Sequence, residues 1–514
     1  LARLIPKNVS TQRFGLYAGL AAFTVLALAP TPEGMSLAAQ RTAAVAALMA
    51  LWWISEAADI AVTALLPLAA FPLLGVMSAT ETASHFATHI VFLYLGGFII
   101  ALAMERWNLH RRIALWVIRQ VGTKPSMMIL GFMTATAFLS MWISNTATTM
   151  MMLPIAMAVV RQLADLASID GERDETTGEK VETALGVILL LAIAYSASVG
   201  GVGTIIGSPT NVAFIGFVEE TFPQYPPIEF VEWSMVCIPI VIVFLPIAWI
   251  YLTRYAADIP LTRITFSSDV DVIENERKKL GAITGPEKAV LAISATTAVL
   301  WITRRPIEFG SVSLAGWSSW FEDPSLVQDS TVAMLMATLL FVLPARKSAE
   351  GVTEYLMDWK RASSGVPWGI VFLFGGGFSL AAAIADTGLA SWIGERMAAL
   401  EGAPAWVLVP MSCLLAVLLT ETTSNIATVL MLSPVIAATA LEIGVHPYLL
   451  LIPSAVMASF AFMLPVATPP NAIVFSSGWI SIARMFRAGL ALDLIALVIV
   501  PAMVYLLGAG VFEF

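Results

Sequence analysis

Two cysteines and four histidines in 514 residues leave little material for a disulfide framework or a metal-ligand cluster. Cys237 and Cys413 both fall inside apolar runs, where a thiol behaves as a small hydrophobe. Charge is scarce too. Asp, Glu, Lys and Arg make up 12% of the chain against 58% for the apolar types, and mean hydropathy is +0.84. Soluble globular domains carry about 25% charged residues, so that class is excluded. The net charge of −9 offers nothing to nucleic acid. In a membrane protein the placement of Lys and Arg says more than their total.

What the chain has instead is long apolar runs. Met235 to Leu252, Val366 to Ile384 and Ala488 to Leu507 are each about 20 residues, enough to cross a bilayer core. The runs predict an all-α polytopic membrane protein with eleven spans, centred near residues 22, 47, 66, 97, 200, 243, 294, 337, 375, 463 and 498. Two shorter helical hairpins are expected at 125–160 and 404–440. No small-residue cleavage site clearly follows Gly15 to Leu28, which reads as a retained first span. Trp107 to Val121, with Arg111, Arg112 and Arg119 on a polar side, is amphipathic, as is its counterpart Thr387 to Leu400. Such helices lie along the membrane interface.

Charge placement orients these spans. With a cytoplasmic N-terminus, nearly all of the 27 Lys and Arg fall inside, and only Arg41, Arg304, Arg305 and Arg396 fall outside. The same count needs an odd number of crossings between the two halves, which inverts the second half and leaves the C-terminus outside. Ser168 to Glu182, Asp258 to Gly285 and Ile307 to Asp329 read as solvated connectors. Glu274 to Leu280 should form a short helix, and Trp317, Trp320 and Phe321 should rest at the outer interface.

The two halves repeat. Ser144-Asn145-x-Ala147-Thr148-x-x-Met151-x-x-Pro154 returns 280 positions later as Ser424-Asn425-x-Ala427-Thr428-x-x-Met431-x-x-Pro434. The same offset carries Gly96-Gly97-Phe98 onto Gly376-Gly377-Phe378 and Ser140 onto Thr420. At an offset of 260, Gly207-Ser208-Pro209-Thr210-Asn211 meets Ala467-Thr468-Pro469-Pro470-Asn471. Ser, Asn and Thr at a re-entrant tip can satisfy backbone freed inside the membrane. A plainer account is that they only cap and glue helices. For one copy the two accounts weigh evenly; two copies with matching flanks favour a site.

Span five holds Gly200, Gly201, Gly203 and Gly207 ahead of Ser208-Pro209, and span ten repeats the interruption at Pro465 and 467–471. Clustered glycines and a missing amide donor break a helix. Paired interruptions at matching places mark a transporter's substrate site. Half-helix N-termini suit a carboxylate, while the carbonyls of Gly207 and Ala467 with Ser, Asn and Thr oxygens suit a hard monovalent cation. None of these segments carries Lys or Arg. An anion held there needs a co-bound cation such as Na⁺, which predicts obligatory coupling.

At these residues the chain resembles the divalent-anion/sodium symporters, the dicarboxylate and citrate transporters. The matching text is Ser144-Asn145-Thr146, Gly207-Ser208-Pro209-x-Asn211, Thr420-Glu421-x-x-Ser424-Asn425 and Ala467-Thr468-Pro469-Pro470-Asn471, with Leu95 to His110 similar to the family's fourth span and interface helix. The resemblance implies one Na⁺ site from Ser140, Ser144, Asn145 and the Gly207 carbonyl. Its mate would use Thr420, Thr423, Asn425 and the Ala467 carbonyl. Substrate carboxylates would meet Ser144, Asn145, Thr146, Ser208, Ser424, Asn425, Thr468 and Pro469.

The resemblance further implies a homodimer in membrane lipid, in the bacterial inner membrane, importing succinate, malate or fumarate with two or more Na⁺ by an elevator motion. Scaffold parts would be 1–124 and 287–403, transport parts 125–255 and 404–514, with 256–286 a cytoplasmic linker. One departure stands out. Ile426 occupies the third place of the second tripeptide, where Thr146 stands in the first, and this leaves citrate or sulfate open as alternatives. A Na⁺-independent dicarboxylate exchanger is the other transport alternative, disfavoured because no fixed basic group replaces the cation ligands.

Glu421 could be a coupling carboxylate or a structural one. Glu56 and Asp59 read as structural, and His85 and His89 as surface or interface residues. An intramembrane enzyme would need a nucleophile with a base, and no His or Asp recurs in the membrane-depth motifs. A channel would need a ring of pore-lining groups rather than closed polar pockets.

Overall fold

The computed structural model describes residues 9–121, 125–165, 167–169, 176–256, 261, 264–266, 272–309, 312–347, 351–396 and 404–512. Helices α1 (Val9–Leu28) and α2 (Leu37–Ser55) pack side by side. Ser36 starts α2 by accepting from the Ala39 amide at 3.0 Å. The apolar run near residue 66, expected as one span, is divided into α3 (Ile60–Ala64) and α4 (Leu66–Leu74). Pro67 stands in the first turn of α4 and brings no N–H to carry the helix through. Asp59 caps α3 by accepting from the Ala61 amide at 2.9 Å, and Glu56 closes α2 in left-handed backbone with φ 46.

After α5 (Ala79–Ser84) come α6 (His89–Arg106) and the amphipathic α7 (Leu109–Val121). The first hairpin is α8 (Pro125–Ser140) and α9 (Asn145–Ala164). The fifth span is α10 (Thr177–Val202) and α11 (Pro209–Thr221), followed by α12 (Phe230–Arg254). A linker helix α13 (Val272–Leu280) leads to α14 (Gly285–Ile302), α15 (Asp329–Val342), α16 (Trp359–Gly365), α17 (Trp368–Asp386) and α18 (Leu389–Arg396). The second hairpin is α19 (Ala405–Thr420) and α20 (Asn425–Glu442). The tenth span is α21 (Pro447–Met457) and α22 (Pro469–Phe475), and α23 (Ile482–Val511) closes the described chain.

Among the described residues, eight helices are long and apolar enough to cross a membrane. They include α9 and α20, the second arms of the hairpins, while α8, α15, α19 and α21 are shorter apolar helices. Burial separates the interior helix from the lipid-facing one. The apolar window of α10 is wholly buried, whereas only 28% of that of α23 is. Leu494, Val498, Tyr505 and Leu506 of α23 stay exposed, the mark of a helix solvated by hydrocarbon.

The expected linker helix forms, but it is docked rather than free. From α7, Arg111 pairs with Glu276 at 3.4 Å, Arg119 with Glu274 at 3.2 Å and Arg112 with Glu287 at 3.0 Å. Arg112 also donates to the Gly281 carbonyl at 3.0 Å. Residues 170–175 of the loop expected at 168–182 lie outside the described residues; Ala167–Ile169 pairs antiparallel with Ile264–Phe266, and from Thr177 the chain is already in α10. In the loop between α14 and α15 Trp320 and Phe321 are exposed, while Trp317 is half-buried and donates to the Leu300 carbonyl at 2.8 Å. Arg304 there is buried, bound to Glu229 and, at 2.8 Å, to Asp329.

The halves interlock. Helix α11 of the first half packs on α20 of the second, and α22 of the second packs on α9 and α10 of the first. The paired glycines of α6 and α17 allow two further close approaches. A Cβ on Gly96 would strike Ala333 backbone at 2.7 Å, and one on Gly376 would strike the Ala64 carbonyl at 2.1 Å. The second glycine of each pair faces other segments instead: Gly97 lies against Ile206 of the 3₁₀ turn after α10, and Gly377 against Leu430 of α20.

Candidate functional site

The two hairpin tips are built alike. Helix α8 stops at Ser140, and Trp142 and Ile143 donate back to the Leu139 carbonyl, both at 2.9 Å. Ser144 then turns extended, with ψ 144, and caps α9 by accepting from the Ala147 amide at 3.3 Å. In the second copy Thr422 and Thr423 donate to the Leu419 carbonyl at 3.1 and 2.9 Å, and Ser424 turns extended with ψ 136. Both tips therefore point a helix N-terminus, from α9 and from α20, at the same depth as the polar tripeptides. Each carries about half a positive charge.

Below each tip lies a cage of oxygens. The Ser140 hydroxyl lies 2.6 Å from Asn145 Oδ1 and 2.7 Å from the Ala197 carbonyl. In the second copy Thr420 Oγ1 lies 2.7 Å from Asn425 Oδ1 and 2.6 Å from the Ala458 carbonyl. One hydroxyl proton faces two acceptors in both places. The Gly207 carbonyl joins the first cage, so Asn145 Oδ1 faces only acceptors.

Two arrangements relieve that surplus. The Asn145 amide can turn about, so that its nitrogen donates to the Ala197 carbonyl at 3.1 Å and the Gly207 carbonyl at 3.2 Å. Otherwise a cation sits among the oxygens. Neutral hydroxyl, amide and carbonyl oxygens in a dry pocket are the donor set of a hard monovalent cation, so the residues present fit Na⁺.

The broken fifth span supplies the third wall of the first cage, through the Gly207 carbonyl. Gly200 and Gly201 do not themselves interrupt the helix, contrary to expectation: α10 continues to Val202. Gly201 instead makes room for its neighbour, because a Cβ there would sit 2.3 Å from Asn145 Oδ1. Unwinding starts at Gly203, and a single 3₁₀ turn, Ile205–Gly207, delivers Gly207. Thr204 fixes that turn by donating to the Met141 carbonyl at 2.5 Å and accepting from the Gly207 amide at 3.1 Å. The tenth span opens earlier than Pro465. Helix α21 ends at Met457, and the chain stays irregular until Thr468.

That longer opening explains Glu421. Its carboxylate accepts from the freed amides of Met463 at 2.8 Å and Leu464 at 3.0 Å, a structural role. Ser208 and Thr468, both buried, cap α11 and α22 through the amides of Thr210 and Asn471 at 3.3 Å. Pro469 is exposed at the start of α22, and Ser144, Asn145, Thr146, Ser424 and Asn425 are half-buried. The Thr423 hydroxyl is turned away from the cage, to Thr428 at 2.7 Å and the Leu419 carbonyl at 2.9 Å. Ile426 is buried in the apolar core, unlike its counterpart Thr146.

Helix α22 packs on α9 and α11 on α20, so the broken span of each half meets the hairpin of the other. A cavity of about 10 Å³, the size of one water, separates Ser144 and Gly207 from Tyr94, Gly97 and Phe98 of α6. A larger cavity of about 390 Å³ is apolar and lies apart from the tips, between α1, α2, α17, α18 and α20. Sequence reading missed the carbonyls of Ala197 and Ala458 entirely. A backbone oxygen leaves no trace in residue type, and the two alanines do not share the 260-residue offset of the motifs beside them.

His85 and His89 turn out to bridge two parts of the molecule. His85 Nδ1 lies 3.2 Å from Glu220 and His89 Nε2 lies 2.8 Å from Glu219, both at the far end of α11.

The sodium-dependent dicarboxylate transporter SdcS of Staphylococcus saprophyticus is 39% identical over 496 residues, covering 96% of this chain and 91% of that protein. SdcS of Staphylococcus aureus is 39% identical over 501 residues, with the same shares covered. Among solved structures, the Neisseria gonorrhoeae antimetabolite efflux pump MtrF superposes with a TM-score of 0.55, 13% identity and coverage of 98% of this chain and 95% of that one. The Alcanivorax borkumensis transporter YdaH gives 0.52, with 13% identity and 98% of both chains covered; at such identities these two share the fold alone. The family model for the sodium:sulfate symporter transmembrane region matches residues 10–511, and the chain belongs to that family of integral membrane transporters.

Proposed function

We propose that this protein is a secondary active transporter that couples Na⁺ entry to import of a four-carbon dicarboxylate such as succinate, malate or fumarate. The observation that carries the reading is the pair of matched oxygen cages, Ser140–Asn145–Ala197–Gly207 and Thr420–Asn425–Ala458, in each of which a buried hydroxyl lies between an asparagine amide and a backbone carbonyl. Na⁺ is cargo in this reading. Ser144, Asn145, Thr146 and Ser208 would face one carboxylate of the substrate, and Ser424, Asn425, Thr468 and Pro469 the other. The half-helix N-termini add positive potential without a fixed Lys or Arg. Anion and cation are each costly alone at low dielectric and tolerable together, which makes uptake obligatorily coupled.

An elevator division supports the motion. The scaffold is 1–124 with 287–403, and the transport part is 125–255 with 404–514, joined by the linker 256–286. Their seam is lined by Gly97 against Ile206 and Gly377 against Leu430, smooth contacts that can slide. The protein is placed in a bacterial inner membrane as a homodimer, N-terminus inside and C-terminus outside. The relatives named as sodium-dependent dicarboxylate transporters support the same substrate class.

The test is radiolabelled succinate uptake into proteoliposomes under an inward Na⁺ gradient, repeated with K⁺ or Li⁺ and with membrane potential clamped. Accumulation against a succinate gradient only with Na⁺ is the expected result. Equal uptake without Na⁺ would point to an exchanger, and preferential uptake of sulfate or citrate would overturn the substrate assignment.

A further inference from the structure

Asn211 and Asn471 repeat one contact in the two halves with no role yet attached to it. Asn211 Nδ2 donates to the carbonyls of Gly201 at 2.9 Å and Thr204 at 2.8 Å. Asn471 Nδ2 donates to the carbonyls of Ala461 at 2.9 Å and Leu464 at 3.0 Å. The spacing is the same in both, ten and seven residues back along the chain. Both side chains are fully enclosed, at 1% and 0% exposure, and in both the amide oxygen has no partner. Each asparagine thus spends its two amide hydrogens on two carbonyls that the helix break has freed.

These two carbonyls bracket the start of the segment that leads to Gly207, whose carbonyl lies at the first cage, and in the second half to the equivalent Ala467. In the first half, Gly201 and Thr204 precede the single 3₁₀ turn that ends at Gly207. In the second, the Leu464 carbonyl that takes Asn471 also accepts the Ala467 amide at 3.2 Å. Buried carbonyls left bare at a break would draw the chain toward another partner, and the Gly207 and Ala467 oxygens would move with it.

Resting on the symport reading above, we propose that Asn211 and Asn471 are positioning residues for sodium. Each amide clasps an unwound span in the shape that presents the Gly207 or Ala467 carbonyl to its cage. They do not touch the ion. The two clasps are unequally supported, since the second break is also held by the Glu421 carboxylate on the Met463 and Leu464 amides. In the first half Met141 stands at the matching position and offers only its carbonyl to Thr204. Loss of Asn211 is therefore felt more strongly than loss of Asn471.

The experiment measures the sodium-dependent rise in melting temperature of the purified, full-length protein, titrated with NaCl against choline chloride. It is run on wild type, Asn211→Ala, Asn211→Ser and Asn471→Ala, beside succinate uptake at saturating Na⁺. Two lost hydrogen bonds per clasp predict about a tenfold weaker apparent Na⁺ affinity for Asn211→Ala. A smaller loss is expected for Asn471→Ala, with half-saturation for succinate at saturating Na⁺ moving less than about threefold. A melting point lowered equally with and without Na⁺, at unchanged Na⁺ affinity, would show a purely structural role and overturn the proposal. Should Asn211→Ala not reach the membrane, unchanged Na⁺ affinity in Asn211→Ser and Asn471→Ala overturns it, and weakened affinity in either upholds it. A wild type blind to Na⁺ would refute the symport reading itself. A responsive wild type with equally responsive variants would sink only the clasp.

Discussion

Ser140→Ala removes the one hydroxyl that touches both Asn145 Oδ1, at 2.6 Å, and the Ala197 carbonyl, at 2.7 Å. Ser140 is fully buried, so no bulk water replaces the lost oxygen. Deleting a buried hydrogen-bonding group costs about 1–3 kcal/mol, and at a cation cage that cost falls on the ion-bound state. Converted, it is about fivefold to 150-fold in sodium affinity at the first site. The repeat supplies its own control. Thr420 performs the same bridging in the second copy, so Ser140→Thr should keep half-saturation by Na⁺ within about threefold of wild type. The assay is initial succinate uptake as a function of Na⁺ concentration in proteoliposomes, normalised to reconstituted protein. Sodium dependence in Ser140→Ala equal to wild type would refute the cage, as would a Ser140→Thr variant as impaired as Ser140→Ala.

Three further outcomes are expected. Ile426→Thr should change the ranking among succinate, malate, fumarate and citrate in competition uptake more than it changes apparent Na⁺ affinity; the reverse would remove this position from the substrate side. His85→Ala, which removes the 3.2 Å contact to Glu220, should lower the melting temperature by the equivalent of about 1 kcal/mol or less; an unaltered melting point would count against the bridge. Arg304→Leu leaves Asp329 and Glu229 without their buried partner and should lower stability by about 3–5 kcal/mol, read as an early melting transition; a melting point within error of wild type would contradict it.

Much of this architecture was legible in the residues because polar, helix-breaking motifs are conspicuous in so apolar a chain. Ser144-Asn145 and Ser424-Asn425 marked the tips, and Ser208-Pro209 and Thr468-Pro469 marked the re-entry into helix. The short helix at Glu274 to Leu280 was visible too, though its docking by Arg111, Arg112 and Arg119 was not. Other features were misplaced for physical reasons. Gly200 and Gly201 look like a break and are a close approach, since a missing Cβ serves both purposes and the sequence does not say which. Pro465 looked like the start of the second interruption, but the helix had already ended at Met457, where the freed amides ahead of the proline are taken by Glu421. Contacts such as His89 with Glu219 join residues 130 positions apart and have no local signature.

The crossed packing of α11 on α20 and of α22 on α9 has a consequence for how such a chain can change over time. Neither repeat owns its pocket; each furnishes the wall against which the other closes. Drift at one tip has to be answered in the opposite copy. Two stretches separated by hundreds of residues therefore still spell nearly the same words, while the helices around them have gone their own way.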